Sequence, residues 1–338
     1  MIGQPVDVSA IEAAAVTLEP VAVRTPLLES PLLNARIGSR LLVKAEVLQR
    51  TGSFKFRGAY NRLAHLNPDE RRRGVVAYSS GNHAQGVAAA ARMLEVSAVI
   101  VMPSDAPLTK IKATRAWGAK VVLYDRAVED REAIAAAIAH DEGRVMIPPF
   151  DDPLIIAGQG TAGLELAEQA DAMGYVVDAI LVPCSGGGLS AGIAVALAAR
   201  SPQTRVLAVE PDGFADTRLS LAAGRPVNIE PGRTICDALT VTRPGALTFL
   251  INSRLLSGAL SVSDAAAAEA MAIAFEHFKL VVEPGGAVAL AAALSQATQI
   301  GGTVAVVCSG GNVDKDLYHR VLRGAFDEMR PHDPASVG

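Results

Sequence analysis

Short apolar, β-branched runs alternate along the chain with longer alanine-rich segments whose hydrophobic positions recur at helical period. Strands are predicted at 74–78, 98–102 and 121–124, each followed by a helix, at 84–94, 109–117 and 130–140. Apolar runs without polar alternation belong to parallel strands covered on both faces by helices, so this stretch reads as βαβ units. The pattern breaks at Pro148-Pro149 and resumes with strands at 179–182, 206–209 and 303–307 and helices at 189–199, 264–278 and 286–294. The expected fold class is α/β, in two doubly wound lobes. Residues 180–199 and 284–312 carry no charge and have the length of a membrane span. Pro183, Gly186, Gly187, Gly188, Gly285, Gly286, Gly301 and Gly302 interrupt them, so buried strand, turn and helix are expected instead.

Composition narrows the partners. The chain has 338 residues, 50% hydrophobic and 20% charged, which is enough core to dispense with disulfides. The net charge is -4 and the longest basic run is Arg71-Arg72-Arg73, so neither a nucleic-acid surface nor a basic membrane-binding face is expected, and small molecules are. Cys184, Cys236 and Cys308 lie far apart with no CxxC, which suits a reducing, cytoplasmic setting. The first ten residues have neither a basic start nor an apolar run, so no signal peptide is expected, and the end after Met329 reads as loose.

The chemistry concentrates in glycine-containing turns. In Thr51-Gly52-Ser53-Phe54-Lys55-Phe56-Arg57-Gly58 a lysine opens a predicted helix through Leu63, with Ser53 as its expected N-cap. A cation in the first helical turn opposes the helix dipole; it fits a solvated surface lysine, or an amine of lowered pKa with a covalent partner such as a Schiff base. Pro183-Cys184-Ser185-Gly186-Gly187-Gly188-Leu189-Ser190-Ala191-Gly192 follows a strand and opens a helix. Successive glycines let backbone N–H groups converge on an anion, and phosphate is the natural ligand. Gly186-x-Gly188-x-x-Ala191 also fits the dinucleotide fingerprint, with Glu210 near the spacing of a ribose-binding acid. A nicotinamide oxidoreductase and a plain packing turn therefore stay open at this segment. Ser79-Ser80-Gly81-Asn82-His83 offers hydroxyls, an amide and N–H groups to a carboxylate, although His83 reads equally well as a hydrogen-bonded structural histidine. Cys308-Ser309-Gly310-Gly311-Asn312 is a third such turn, and in doubly wound sheets such turns meet in one crevice.

Together these segments resemble the pyridoxal phosphate enzymes of fold type II, the tryptophan-synthase-β-like family of threonine and serine dehydratases, serine racemases and 3-hydroxyaspartate dehydratases. The resemblance rests on Lys44-x-Glu46-x-Leu48-Gln49-x-Thr51-Gly52-Ser53-Phe54-Lys55-x-Arg57-Gly58-Ala59, Ser79-Ser80-Gly81-Asn82-His83-Ala84-Gln85, Pro149-Phe150-Asp151-Asp152 with Ile156-Ala157-Gly158-Gln159-Gly160-Thr161, the Gly186 turn, Thr234-Ile235-x-Asp237, Val282-Glu283-Pro284 and Ser309-Gly310-Gly311-Asn312. It runs through nearly the whole chain. It implies that Lys55 forms the internal aldimine with pyridoxal 5'-phosphate and later acts as base at the substrate Cα. It further implies that Phe54 packs on the cofactor ring, Asn82 meets the ring hydroxyl, and Ser309 faces the pyridine nitrogen. Gly186, Gly187, Gly188 and Leu189 would bind the phosphate, with Ser185 standing where the family usually has a further glycine, and Glu283 belongs to the cofactor-side set. A neutral hydroxyl at the ring nitrogen leaves that nitrogen unprotonated, which suits prompt β-elimination, and the phosphate is the family's candidate for protonating the departing hydroxyl.

By the same resemblance Ser79, Ser80, Gly81, Asn82 and His83 bind the amino-acid substrate, and Ser80 stands where racemases place a second acid-base group. Arg131 aligns with a racemase arginine that can pair with a second carboxylate; it reads otherwise as one charge on the solvated face of Glu129-Asp130-Arg131-Glu132. Glu210, Phe214 and Asp216 reproduce the spacing of a divalent-cation site for Mg2+, Ca2+ or Mn2+, read otherwise as an acidic loop. The implied division is a discontinuous cofactor domain at 1–73 and 150–338 and a small substrate-gating domain at 74–149. The implied activity is dehydration of 3-hydroxyaspartate, serine or threonine by a homodimer. Racemisation by Lys55 and Ser80 is the alternative. The chain ends soon after the Ser309 turn, so a C-terminal regulatory domain, and with it feedback by isoleucine, is not expected.

Overall fold

A computed structural model describes residues 6–325, apart from the side chains of residues 296–299; the tail expected to be loose after Met329 lies outside the described residues. The strands in chain order are β1 Leu27–Glu29, β2 Arg40–Lys44, β3 Val75–Tyr78, β4 Ala98–Pro103, β5 Lys120–Tyr124, β6 Val145–Met146, β7 Ala179–Pro183, β8 Arg205–Pro211, β9 Gly258–Val262 and β10 Thr303–Val307. They form two sheets, one in the order β5-β4-β3-β6 and one in the order β1-β2-β10-β7-β8-β9. Every pairing is parallel except β1 with β2. Strands buried along their length, such as β4, β7 and β10, carry the continuous Val/Ile/Ala runs that a sheet covered on both faces requires.

In each sheet the chain first steps outward and then returns to the other side of its starting strand. The smaller sheet runs β3, β4, β5 and returns to β6 beside β3; the larger runs β7, β8, β9 and returns to β10 beside β7. These reversals are the switch points at whose carboxyl ends ligands bind in open α/β sheets. The three glycine turns follow the carboxyl ends of β3, β7 and β10.

Two corrections concern helix ends. Ser53 is not the cap of the helix Lys55–Ala64. Phe54 occupies the cap in helical geometry, while Ser53 is extended, pairs with Gly310 through its backbone, and leaves its buried hydroxyl without a partner. The helix start is held instead by Phe54 N donating to the Ser309 carbonyl at 3.0 Å, which ties the lysine turn to the β10 turn. The helix predicted at 264–278 is α-helical over Asp264–Ile273 and widens into a π turn over Ala274–Phe278, closing on Lys279 at φ 59.

Three helices place Lys55 near the Gly186 turn. Lys55–Ala64, Pro153–Ala172 and Gly188–Arg200 pack at backbone distance because glycines face one another. A Cβ on Gly158 would stand 2.7 Å from Gly58 Cα, and one on Gly192 would stand 2.6 Å from Gly160 N.

Candidate active site

A cavity of about 370 Å³ opens between the two sheets. Phe54, Lys55, Ser79, Ser80, Gly81, Asn82, His83, Arg131, Ser185, Gly186, Gly187, Gly188, Leu189, Glu283 and Ser309 all contribute to its walls. Glu210, Phe214 and Asp216 do not.

The turn after β7 is shaped to hold an anion. Gly187, at φ 90, caps the helix Gly188–Arg200 with no side-chain cap, so the first-turn N–H groups have no intrahelical acceptor. A Cβ on Gly186 would stand 2.3 Å from the Phe150 ring, and one on Gly187 would stand 2.7 Å from Asn252 Nδ2. The carbonyls point away from the cavity: Thr248 Oγ1 donates to Gly186 O at 2.6 Å and Asn252 Nδ2 to Gly187 O at 3.2 Å. The Ser185 hydroxyl accepts from Val241 N at 3.4 Å and so binds the wall at 238–243 to the turn.

Lys55 Nζ donates to the Pro149 carbonyl at 2.6 Å and stands 5.3 Å from the Phe54 ring. Burial pushes its pKa down to about 8. None of the ion pairs among the described residues includes it. An amine held so can surrender and regain a proton near neutrality.

The turn after β3 opens the helix Asn82–Met93, again with no side-chain cap, so the Asn82 and His83 amides lie at a helix N-terminus. The Gly81 amide is not free for a carboxylate: it donates to its own turn, to Ser79 Oγ at 3.2 Å. His83 Nε2 donates to the Ile147 carbonyl at 3.0 Å, and burial, aided by Lys55, pushes its pKa down to about 3. A neutral, committed imidazole is a structural element of the wall rather than an acid-base group.

Beside Ser309 sits a polar network. Asn82 Nδ2 donates to Glu283 Oε1, and Asn82 Oδ1 accepts from Asn312 Nδ2 at 2.7 Å. Glu283 Oε2 is buried without a partner, and burial followed by repulsion from Asp237 pushes this carboxyl up to about 7. A glycine cradle that side chains would fill, a lysine freed of carboxylates and an unpartnered polar atom in the wall fit a phosphorylated, polar-edged ring. Arg131 is the first residue of the helix Arg131–Glu142, with its guanidinium 5.5 Å from the Tyr78 ring.

Glu210, next to last in β8, is buried, its oxygens accepting from Thr217 N at 2.7 Å and Arg218 N at 2.9 Å. It therefore caps the helix Asp216–Ala223 from outside. Both Asp216 oxygens are buried without a partner, and burial, reinforced by Glu210, raises that carboxyl well above its ordinary range. The orphaned oxygens of Asp216 beside the buried Glu210 carboxyl have the chemistry to accept a hard cation, with the Phe214 carbonyl and water completing it. Among the described residues no group of three side-chain ligands exists. A ribose-binding role for Glu210 requires it beside the Gly186 turn's ligand. Its carboxylate is spent on a helix outside the cavity, which removes the physical basis of the nicotinamide alternative.

Sequence reading missed Tyr78, Lys110, Glu132 and the wall at 238–243, and took Asp237 only as part of a motif. Lys110 carried the same signal as Lys55, a cation in a first helical turn with no acidic neighbour in that turn.

Fold, switch-point cavity, glycine cradle and unpaired lysine define a type II pyridoxal phosphate enzyme. The chain belongs to the pyridoxal-phosphate dependent enzyme family, whose model matches residues 18–310. It is 45% identical over 312 residues to L-threo-3-hydroxyaspartate ammonia-lyase of a Pseudomonas species, covering 92% of this chain and 97% of the relative. It is 41% identical to L-threonine ammonia-lyase of Thermotoga maritima, covering 92% of this chain and 77% of that one. The structure of maize serine racemase superposes with a TM-score of 0.89 at 36% identity, over 96% of this chain and 99% of that one. No helix among the described residues is long and apolar enough to cross a membrane.

Proposed function

We propose that the protein is a hydroxy-amino-acid ammonia-lyase. It removes water from a β-hydroxy amino acid, and the released enamine tautomerises and hydrolyses to a 2-oxo acid and ammonia. The observation that carries this reading is the convergence of Lys55 with the turns after β3, β7 and β10 on one cavity, together with relatives named for ammonia-lyase activity. Pyridoxal phosphate, when bound, supplies the electron-withdrawing ring that accepts charge as the Cα–H bond breaks. Gly186, Gly187, Gly188 and Leu189 hold its phosphate through backbone N–H groups, and Asn82 and Ser309 meet its ring edge. The Asn82 and His83 amides and the Ser79 and Ser80 hydroxyls bind the substrate α-carboxylate. Lys55 Nζ takes the Cα proton, an act favoured by its lack of a carboxylate partner. Arg131, exposed and lining the cavity, pairs with a second carboxylate, which favours 3-hydroxyaspartate over serine and threonine.

Several finer features accompany this reading. Glu210, the Phe214 carbonyl and Asp216 hold a divalent cation, the lobe at 74–149 gates the substrate, and the protein works as a cytoplasmic homodimer.

The deciding experiment is a panel of serine, threonine and 3-hydroxyaspartate stereoisomers with 2-oxo acid and chirality both measured. A 2-oxo acid released chiefly from 3-hydroxyaspartate is expected, and Arg131→Ala should cost that substrate far more than serine. Epimerised amino acid in excess of 2-oxo acid would overturn the assignment in favour of a racemase using Lys55 and Ser80, since Ser80 lines the same cavity as Lys55.

A further inference from the structure

Lys110 is a cation to which the proposed reaction gives no role, and its setting is unusual. It is the third residue of the helix Leu108–Ala116, where the dipole disfavours positive charge. Its side chain is only 10% exposed, yet it lines the cavity. Its Nζ donates to Asp237 Oδ2 at 2.6 Å. Asp237 sits in the wall of the larger sheet's lobe, so the pair spans the cleft. A Cβ added to Gly81 would meet only this ammonium, at 3.8 Å, so the charge stands at the open face of the Ser79–Gly81 turn. An ammonium has three N–H groups, and among the described residues only Asp237 accepts from it. Burial opposes the charge, but Asp237 and then Glu283 raise its pKa, so Lys110 remains a cation at any working pH.

We infer that Lys110 is a substrate-binding residue: its free N–H groups provide the counter-charge for the amino acid's α-carboxylate at the Ser79–His83 turn. Asp237 is the positioning residue that holds it there from the opposite wall. This inference rests on the proposed function only in taking the ligand to be an α-amino acid. The backbone amides of Asn82 and His83 aim at the carboxylate, and Lys110 neutralises it. The pair closes the cleft on whichever substrate brings that group. Arg131, near Tyr78, is left to read the side chain, so Lys110 governs affinity for all amino acids and Arg131 the choice among them.

The test uses holoenzyme and two ligands that cannot undergo elimination, glycine and ethylamine, titrated by the perturbation of the bound cofactor's visible absorbance. Lys110→Met should weaken glycine about ten-fold or more while leaving ethylamine, which has no carboxylate, within about two-fold. Lys110→Arg should keep glycine within about three-fold, because the charge is retained. Asp237→Asn, at a half-exposed position, should weaken glycine in the same direction but less. In turnover, KM should carry the loss and kcat stay within about three-fold. Equal weakening of glycine and ethylamine, or of neither, would overturn the inference. A wild-type enzyme that discriminates glycine through Lys110 but releases no 2-oxo acid from any β-hydroxy amino acid would leave this inference standing and sink the proposed function.

Discussion

Lys55 and Arg57 stand two residues apart on one helix, the first half-buried on the cavity wall and the second fully buried, and the chain treats their charges in opposite ways. Arg57 is enclosed by acceptors: Nε and Nη2 donate to Glu46 at 2.8 Å each, Nη1 and Nη2 to Glu165 at 2.7 and 2.9 Å, and Nη1 to Thr161 at 3.1 Å. Burial would lower its pKa, but Glu46 and Glu165 raise it instead. Lys44 completes the cluster through Glu165 at 2.6 Å. Lys55 has one backbone carbonyl and a pKa pushed down to about 8. A buried cation surrounded by carboxylates is fixed in its protonation state and anchors structure; one denied them can change protonation state and do chemistry.

The contrast can be broken at either residue. Lys55→Ala should cost at least about a thousand-fold in turnover and remove the cofactor's visible band, while circular dichroism and Tm stay close to wild type. Arg57→Met should do the reverse. It strips the buried Glu46 of its ion-pair partner and leaves Glu165 with Lys44 alone, a loss of about 3–5 kcal/mol in unfolding free energy, with kcat of the folded fraction little changed. Stable Arg57→Met enzyme with collapsed kcat would show that the two cations do not divide the work in this way.

Lys55 is conspicuous in the sequence, whereas Arg57 is only one position of a motif with no role of its own, and the reason is physical. Site turns are built from backbone, so their demands are written in local residue types: Gly187 for a positive φ, Asn82 and His83 at a helix start, Ser309 after an apolar strand. Such demands are legible in the order of residues alone. Arg57's partners come from Glu46 and Glu165, and Lys110's from Asp237, 127 positions along the chain, which no local pattern announces. The helix Pro153–Ala172 escaped because it is buried on nearly all sides from Ile155 to Leu164 and interrupted by Gly158, Gly160 and Gly163, so it shows no amphipathic period. Ser53 misled because a serine before a helix resembles a cap, while its extended pairing with Gly310 took precedence.

His83 extends the comparison to a buried group kept neutral. Its folded pKa, about 3, lies below the ordinary value of 6.5. The unfolded chain therefore binds the extra proton first, and stability falls as pH drops from about 6.5 toward 3. The expected loss across that window is on the order of a few kcal/mol. His83→Gln should flatten this acid limb in denaturant titrations from pH 4 to 7 while lowering neutral-pH stability. An unaltered slope would mean the imidazole is not the titrating group.

The smallest expected effect concerns Glu210 and Asp216, buried carboxyls that take part in no ion pair among the described residues, the mirror image of Lys55. Glu210 spends its oxygens on the Thr217 and Arg218 amides, while both Asp216 oxygens are unpartnered. A divalent ion that binds only the folded protein stabilises it by about 2.7 kcal/mol when present at a hundred times its dissociation constant. Millimolar Ca2+ or Mg2+ added to chelator-treated holoenzyme should therefore raise Tm by a few degrees. Asp216→Asn removes one charge and spares the helix cap, so it should abolish the metal response while slightly raising the metal-free Tm, because one buried charge no longer needs to be neutralised. If wild-type Tm ignores both ions, the pair is held neutral by protons instead, and the division between anchored and available charge applies only to this protein's cations.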